Sequence, residues 1–393
     1  DRAEVTATGL ITLLGRTFTA AIHSMAKSYV AAFVVITLLM ILLIGHFNIG
    51  LLSMIPNLAP IVIGLGLIGF TDIPRETYRL TFPFFSDLKV PPFWERRPER
   101  RHMIINVPST FPARQWNGIM ISGFVSLDLD RAIYPRTLVN EIKDMEYQID
   151  VDAGKAHQSL ELFVRDLERT LVKRKSLFER LWNDAWDTFM FVFTGSDRLM
   201  HFLWDAYEDP QHVFHSAFIH YFKQVDDVIG NAVHALHEED LFMMVSDHGF
   251  EKLHQDVYVN TLLRHEGYLA GNGDAKLSFT TISAATKAFA LDPARIYIHE
   301  KGRYPRGGVT GSDKESVLRE LESLFSAMTF NEQRVIKRVY RKEEIYRGAY
   351  MDHAPDLVLL GASGFNLKGA LGSDAVFAKD VFTGKHTYDD AFI

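Results

Sequence analysis

The segment that decides the fold is Asp240–Phe250, which reads DLFMMVSDHGF. An uncharged apolar run, Leu241–Val245, leads into a polar corner of Ser, Asp, His and Gly. Such a run predicts a buried β-strand, and open α/β sheets build their ligand sites beyond the carboxyl ends of these strands. A carboxylate beside an imidazole offers ligands for a metal ion, so Asp247 and His248 are the first candidate site residues.

A second corner of the same kind lies upstream, where the apolar run Phe189–Phe193 predicts another strand and Ser196–His201 predicts the start of a helix. Residues four apart share one face of a helix, so Asp197 and His201 can converge on one ion. Two strand-end corners of this kind predict a paired metal site.

A polar, glycine-bearing loop near the end of the sequence, Thr383–Thr387, adds a third histidine, His386. Each pattern alone has a plainer interpretation. The Asp247–His248 pair is also typical of a turn or helix cap, and the Asp197/His201 pair of a surface contact. The combination of all three favours metal binding. The similar Asp352–His353 pair precedes a predicted strand and is interpreted as part of a loop.

At these residues the chain resembles the type I phosphodiesterase/nucleotide pyrophosphatase branch of the alkaline phosphatase superfamily and its phosphohydrolase and phosphomutase-like relatives. The resemblance runs from about Thr71 to the last residue. The segments that carry it are Ile105–Pro112, Met120–Phe124, the Asp197/His201 pair, Ser246–Gly249, Ala354–Leu359 and Gly384–His386.

The resemblance implies a ligand set for two divalent ions. Residues like Asp197, His201 and His386 hold one ion in that family, and residues like Asp247 and His248 hold part of the second. Nitrogen and oxygen donors without thiolate suit Zn²⁺ or Mn²⁺, and the chain contains no cysteine. Asp389 is a weaker candidate, which could orient the His386 imidazole from behind.

The resemblance also implies the chemistry, which is hydrolysis of a small-molecule phosphoester. Two cations can neutralise the charge that develops at phosphorus while one activates the attacking oxygen. The family additionally uses an aspartate and a Thr or Ser nucleophile from its first lobe, and no residues ahead of Gly69–Asp72 match them. We therefore assign no catalytic nucleophile and expect impaired turnover. A phosphomutase-like or sulfatase-like member of the superfamily stays open.

The first seventy residues predict a membrane region instead. No charged residue lies between Lys27 and Asp72, which is room for two transmembrane helices, at about 29–46 and 49–70. Basic residues flank this stretch on both sides, so the soluble domain is expected in the cytoplasm, with membrane lipid as a partner of the hairpin.

Within this region, Gly50–Pro60 resembles part of a resistance-nodulation-division exporter. Two spans cannot form a transporter, so we expect an exporter fragment joined to a hydrolase domain. The alternative function is a membrane transport or assembly protein fragment whose soluble domain is not catalytic.

Composition bounds the remaining possibilities. A net charge of −7 over 393 residues argues against nucleic acid as a partner, because backbone phosphates require a basic face.

Strand-like and helix-like segments alternate after residue 71, and the helices are predicted at Leu160–Trp186, Pro210–Leu236 and Asp313–Met328. We therefore expect a membrane region at 1–70 and an α/β domain at 71–393, with a possible insertion at about 267–293. The resemblance makes this a layered alkaline-phosphatase-like sheet with helices on both faces, incomplete at its N-terminal lobe.

Overall fold

A computed structural model describes residues 76–81, 84–88, 90–126, 128–272, 276–388 and 390–391. These residues belong to one compact unit. The predicted spans at 29–46 and 49–70 lie outside the described residues. Within the part of the chain that the structure describes, no helix is both long and apolar enough to cross a membrane.

The first sheet contains four strands, β1 (His102–Ile105), β2 (Gly118–Ile121), β3 (Ile133–Tyr134) and β4 (Thr188–Phe191). Their order is β3-β2-β1-β4, with β1 parallel to both β2 and β4 and with β3 antiparallel to β2. The central strand β1 is buried along its whole length. The strand predicted within Phe189–Phe193, before Asp197, is confirmed as β4.

Helices α1 (Val139–Asp144), α2 (Gly154–Gln158) and α3 (Leu160–Trp182) separate β3 from β4. Ser159 caps α3 by accepting a hydrogen bond from the backbone N–H of Glu161. The buried face of α3 is mainly apolar, and Leu177 and Leu181 pack against Met103 and Ile105 of the sheet.

The two faces of this sheet are covered differently. Ile104 and Met120 point to the face opposite α3 and pack against Phe85 and Trp94, which belong to short 3₁₀ helices. In the described residues, α-helices cover one face of this sheet and only 3₁₀ helices cover the other. The prediction of helices on both faces is therefore confirmed only in this limited form. The 3₁₀ helices are Phe85–Asp87, Phe93–Arg96, Arg136–Leu138, Phe279–Thr281 and Met351–His353.

Two helices follow β4, namely α4 (Gly195–Glu208) and α5 (His215–His234). Helix α4 is kinked at Leu203, which is completely buried. Together with Phe163 of α3, the residues Phe202 and Phe218 form an apolar cluster that joins the three helices. This packing fixes the orientation of α4, which carries two of the candidate ligands.

The largest difference between the sequence-based prediction and the structure lies at Leu241–Val245, which the sequence predicts as a buried β-strand. Leu241–Val245 forms neither strand nor helix, its side chains are exposed, and it makes no backbone hydrogen bond with any described residue. Leu241 alone is 85% exposed. An apolar strand of this kind is stable when other strands pair with its edges. In the described residues β4 pairs only with β1, and no strand pairs with Leu241–Val245.

The remaining elements form the second part of the domain. They are β5 (Phe250–Lys252), β6 (Gln255–Tyr258), α6 (Val259–His265), β7 (Ala288–Leu291), β8 (Arg295–Ile298), α7 (Gly311–Ser326), β9 (Thr329–Phe330), β10 (Gln333–Arg334), β11 (Ile336–Arg341), α8 (Lys342–Ile345), β12 (Leu357–Gly361), β13 (Phe365–Lys368), β14 (Phe377–Ala378) and β15 (Gly384–His386). An antiparallel sheet has the strand order β11-β12-β8-β7. Smaller sheets have the strand orders β13-β6-β14, β15-β5 and β10-β9.

The segment at 267–293, predicted as a possible insertion, includes β7. This strand is completely buried and pairs with β8 in the main core cluster. The end of the segment is therefore part of the core. The interpretation of its earlier residues as an insertion stays a prediction.

Candidate metal centre

The first two candidate ligands lie on one face of α4. The chain leaves β4 at Phe191 and enters α4 at Gly195, so Asp197 falls in the first helical turn. A carboxylate is favoured there because the N-terminus of a helix carries partial positive charge. His201 follows one turn later, with Nε2 lying 3.5 Å from Oδ2 of Asp197. The structure thus places Asp197 and His201 close together on one helix, and their role as metal ligands stays a prediction.

His386 reaches the same place on β15. The backbone N–H of Thr383 donates to the carbonyl of His201 at 2.8 Å, and the Thr383 hydroxyl accepts from the N–H of Trp204 at 2.7 Å. Gly384 permits this close approach, because a Cβ at that position would lie 2.2 Å from the carbonyl oxygen of Met200. As a result, His386 Nε2–H donates to Asp197 Oδ2 at 2.8 Å.

The three side chains form a compact donor set. One ligand atom from each of Asp197, His201 and His386 lies within 4.8 Å of the other two. The Nδ1–H of His201 donates to the carbonyl of Gly384 at 3.1 Å, which leaves the Nε2 lone pair directed at the cluster. Holding a ligand histidine by its second nitrogen is the usual arrangement in metal sites. Two imidazole nitrogens and one carboxylate oxygen fit Zn²⁺ or Mn²⁺.

His248 borders this set. Its ring stacks on His386 with a centroid separation of 3.5 Å, and its Nε2 lies 3.8 Å from Asp197 Oδ2. Asp247 is further out, where its Oδ1 lies 3.5 Å from His248 Nε2 and its side chain is 36% exposed. The structure thus brings His248 to the centre but leaves Asp247 at the rim.

Thr387 and Asp390 pack on the corner at Gly249. A Cβ at Gly249 would lie 2.2 Å from a carboxylate oxygen of Asp390, and the Thr387 N–H donates to the Gly249 carbonyl at 3.1 Å. Thr387 also donates its hydroxyl to Asp390. Asp389, the weaker candidate, lies outside the described residues.

The electrostatics of the cluster suit a cation. Burial opposes ionisation of Asp197, but the His386 hydrogen bond and the neighbouring His201 and Arg198 hold the pKa of this carboxyl well below its usual range. Burial lowers the pKa of His201 to about 4, although Asp197 opposes the change. Burial and then His386 lower the pKa of His248 as well. Near neutral pH the cluster therefore presents an ionised carboxylate and neutral His201 and His248 imidazoles, which are the protonation states that bind metals.

Aromatic side chains that the sequence analysis did not assign form the walls of this centre. The ring centroid of Phe250 lies 5.0 Å from those of both His201 and His386, and Phe382 lies 5.1 Å from His201. Both phenylalanines are close in sequence to predicted ligands, and this proximity could have identified them as residues of the site. They exclude water from one side of the imidazoles and so contribute to the lowered pKa of His201.

Of the comparisons with known proteins, the match to a family model identifies the family of the domain. The family model for type I phosphodiesterase / nucleotide pyrophosphatase matches residues 65–389. The crystal structure of phosphonoacetate hydrolase from Sinorhizobium meliloti 1021, in complex with phosphonoformate, is similar with a TM-score of 0.45 and 13% sequence identity. The similarity covers 82% of this chain and 71% of that chain. No curated protein matches the chain significantly.

Proposed function

Because the chain belongs to the type I phosphodiesterase/nucleotide pyrophosphatase family of the alkaline phosphatase superfamily, we propose that its α/β domain is a metal-dependent hydrolase of small-molecule phosphoesters. The observation that carries this proposal is the convergence of Asp197, His201 and His386 on one point. These residues come from two segments that are far apart in sequence. An incidental surface contact would not require one ligand atom from each of the three residues to lie so close together.

The three residues would hold one divalent ion through Asp197 Oδ2, His201 Nε2 and His386 Nε2. The ion would replace the Nε2 proton that His386 donates to Asp197 in the metal-free protein. A bound cation supplies charge stabilisation for the oxygens of a phosphoester. The protein's own contribution is to keep Asp197 ionised, to fix the His201 tautomer through Gly384, and to exclude water with Phe250. Zinc is the proposed metal because two of the three donors are imidazoles, and manganese is the alternative.

A second ion is proposed at Asp247 and His248, with weaker binding. Asp247 is partly exposed and contacts the cluster through His248, so its position is poorly determined by packing. Since no residue of this chain is assigned as the nucleophile, we propose little or no turnover. Robust phosphodiesterase activity of the pure protein, with one metal pair per chain, would contradict this part without touching the assignment to the hydrolase class.

Binding of a phosphorus oxyanion tests the hydrolase proposal even if turnover is low. Calorimetric titration with phenylphosphonate should show binding to the zinc-loaded protein and none after EDTA treatment. Asp197→Asn should lose both zinc and phenylphosphonate binding. The matched control is Asp205→Asn on the same helix, where the carboxylate lies 3.9 Å from His212 away from the cluster. Equal phenylphosphonate affinity with and without metal would contradict the proposal.

Residues 1–70 are proposed as a membrane hairpin derived from a resistance-nodulation-division exporter, with the hydrolase domain in the cytoplasm. The charge-free stretch between Lys27 and Asp72 supports this. Flotation with phospholipid vesicles should carry the full chain, and deletion of residues 1–70 should abolish it. If vesicle binding persists while neither zinc nor phenylphosphonate binds, the non-catalytic membrane assembly function replaces the hydrolase.

A further inference from the structure

Arg198, the residue next to Asp197, joins the cluster to a separate part of the fold. Its Nε and Nη2 donate to the same oxygen of Asp150, Oδ2, at 3.1 and 2.7 Å. Its Nη1 donates to Asp197 Oδ1 at 3.4 Å. Both Arg198 and Asp150 are largely buried, with side chains 19% and 14% exposed. One guanidinium therefore spans two carboxylates in a site with little solvent screening.

Asp150 is itself held in place from the other side. Its Oδ1 accepts hydrogen bonds from the Thr194 hydroxyl at 3.2 Å and from the Val151 N–H at 3.0 Å. The Thr194 hydroxyl in turn accepts from Arg174, a buried residue of α3. The Arg198 guanidinium also stacks on Phe124, 4.3 Å from the ring centroid. These contacts fix Arg198 without any help from the metal ligands.

The two oxygens of Asp197 consequently have different partners. Oδ1 accepts from Arg198, and Oδ2 lies within reach of His386, His201 and His248. We propose that Arg198, anchored by Asp150, is a positioning residue that turns Oδ2 of Asp197 toward the imidazoles. This inference rests on the proposed function, because it presumes that Asp197 binds the metal ion.

Charge and position predict opposite effects of removing the guanidinium. Arg198 is a cation beside a cation site, so by Coulomb repulsion alone its loss would strengthen metal binding. Loss of the positioning contact would instead let the carboxylate rotate, and removal of groups that orient metal ligands typically weakens binding by about 10–100-fold. The sign of the change therefore separates the two explanations.

The experiment measures zinc affinity by competition with a chromophoric chelator, and the visible spectrum of the Co²⁺-loaded protein. We expect Arg198→Met to bind zinc about 10–100-fold more weakly and to change the Co²⁺ spectrum. Arg198→Lys should not restore affinity, because lysine keeps the charge but lacks the planar fork of donors. Asp150→Asn, which leaves all three ligands in place, should weaken zinc binding in the same direction.

The matched control is Arg303→Met, which breaks another buried pair, Arg303 Nη1 to Asp356 Oδ2 at 2.7 Å, far from the ligands in the sequence. It should lower the melting temperature but leave the zinc affinity of the folded protein unchanged. Unchanged or tighter zinc binding in folded Arg198→Met and Asp150→Asn would overturn the inference. If the unaltered protein binds no zinc, the proposed function fails instead, so the two failures are distinguishable.

Discussion

The two halves of the candidate site differ in how their backbones are held. Asp197 and His201 lie on a helix that packs against α3 and α5, and His386 lies on a strand next to Thr383, which is hydrogen-bonded to that helix. Asp247 and His248 follow Leu241–Val245, a segment that is exposed and makes no backbone hydrogen bond with any described residue. Asp197, His201 and His386 form the donor set, and the second half contributes only the His248 imidazole at the edge of that set.

This difference shows that ligand identity is not sufficient for a site. A carboxylate contributes to metal affinity only when packing or hydrogen bonds hold it in position, since otherwise its conformational entropy must be lost on binding. Asp197 has Arg198 and His386 as partners. For the Asp247 carboxylate, the described part of the chain gives one polar contact, to the neighbouring His248.

Stability should show the contrast most strongly. Leu203, within α4, is completely buried, and Leu203→Ala should cost about 2–5 kcal/mol of unfolding free energy through the cavity it leaves. Leu241→Ala, at an exposed position, should change it by less than about 0.5 kcal/mol. Urea denaturation at neutral pH measures both. A large loss for Leu241→Ala would mean that the segment is packed in the native protein.

Zinc affinity should follow the same division. Asp197→Asn should weaken the tightest zinc binding by at least about 100-fold, because it removes a ligand and leaves two imidazoles. Asp247→Asn should weaken it by less than about 10-fold. Calorimetry on the two variants provides the comparison. Equal losses would show that both halves hold the same ion.

The placement of Asp197 and His201 relative to each other could be predicted from the sequence. The spacing of Asp197 and His201 places them on one helical face whatever the rest of the chain does. The apolar run before them forms β4 as predicted, because β1 pairs with it. The Gly384–His386 motif predicts His386 as a ligand. The contact of Gly384 with Met200 that positions His386 is visible only in the structure.

Non-local pairing explains what could not be predicted. The run Leu241–Val245 has the composition of a buried strand, but composition does not reveal whether neighbouring strands are present to pair with it. The link from Asp197 through Arg198 to Asp150 joins positions about fifty residues apart, and neither residue carries a recognisable motif. Such partners follow from the packing of α3 and α4 and not from any periodicity.

The pH dependence of stability should also differ between the halves. In the metal-free protein the pKa of His201 is lowered to about 4, whereas an unfolded chain has about 6.5. Between these values the unfolded state takes up a proton that the folded state does not, so stability should fall as the pH drops from about 6.5 to 4, by on the order of 2 kcal/mol.

His201→Gln should remove most of that fall. His248→Gln should remove less, because its side chain belongs to the less firmly held half, although its pKa is shifted in the same direction. Urea denaturation in EDTA at several pH values between 4 and 7 measures the slope. A slope that is identical in the unaltered protein and in His201→Gln would contradict the burial of a neutral imidazole at this position.

The most direct test is the metal content of the purified protein after dialysis against metal-free buffer. The account predicts about one tightly held zinc ion per chain in the unaltered protein, and its loss in His386→Ala while the variant stays folded by circular dichroism. Retention of the ion by His386→Ala, or the absence of any bound metal in the unaltered protein, would contradict the joint ligation by Asp197, His201 and His386.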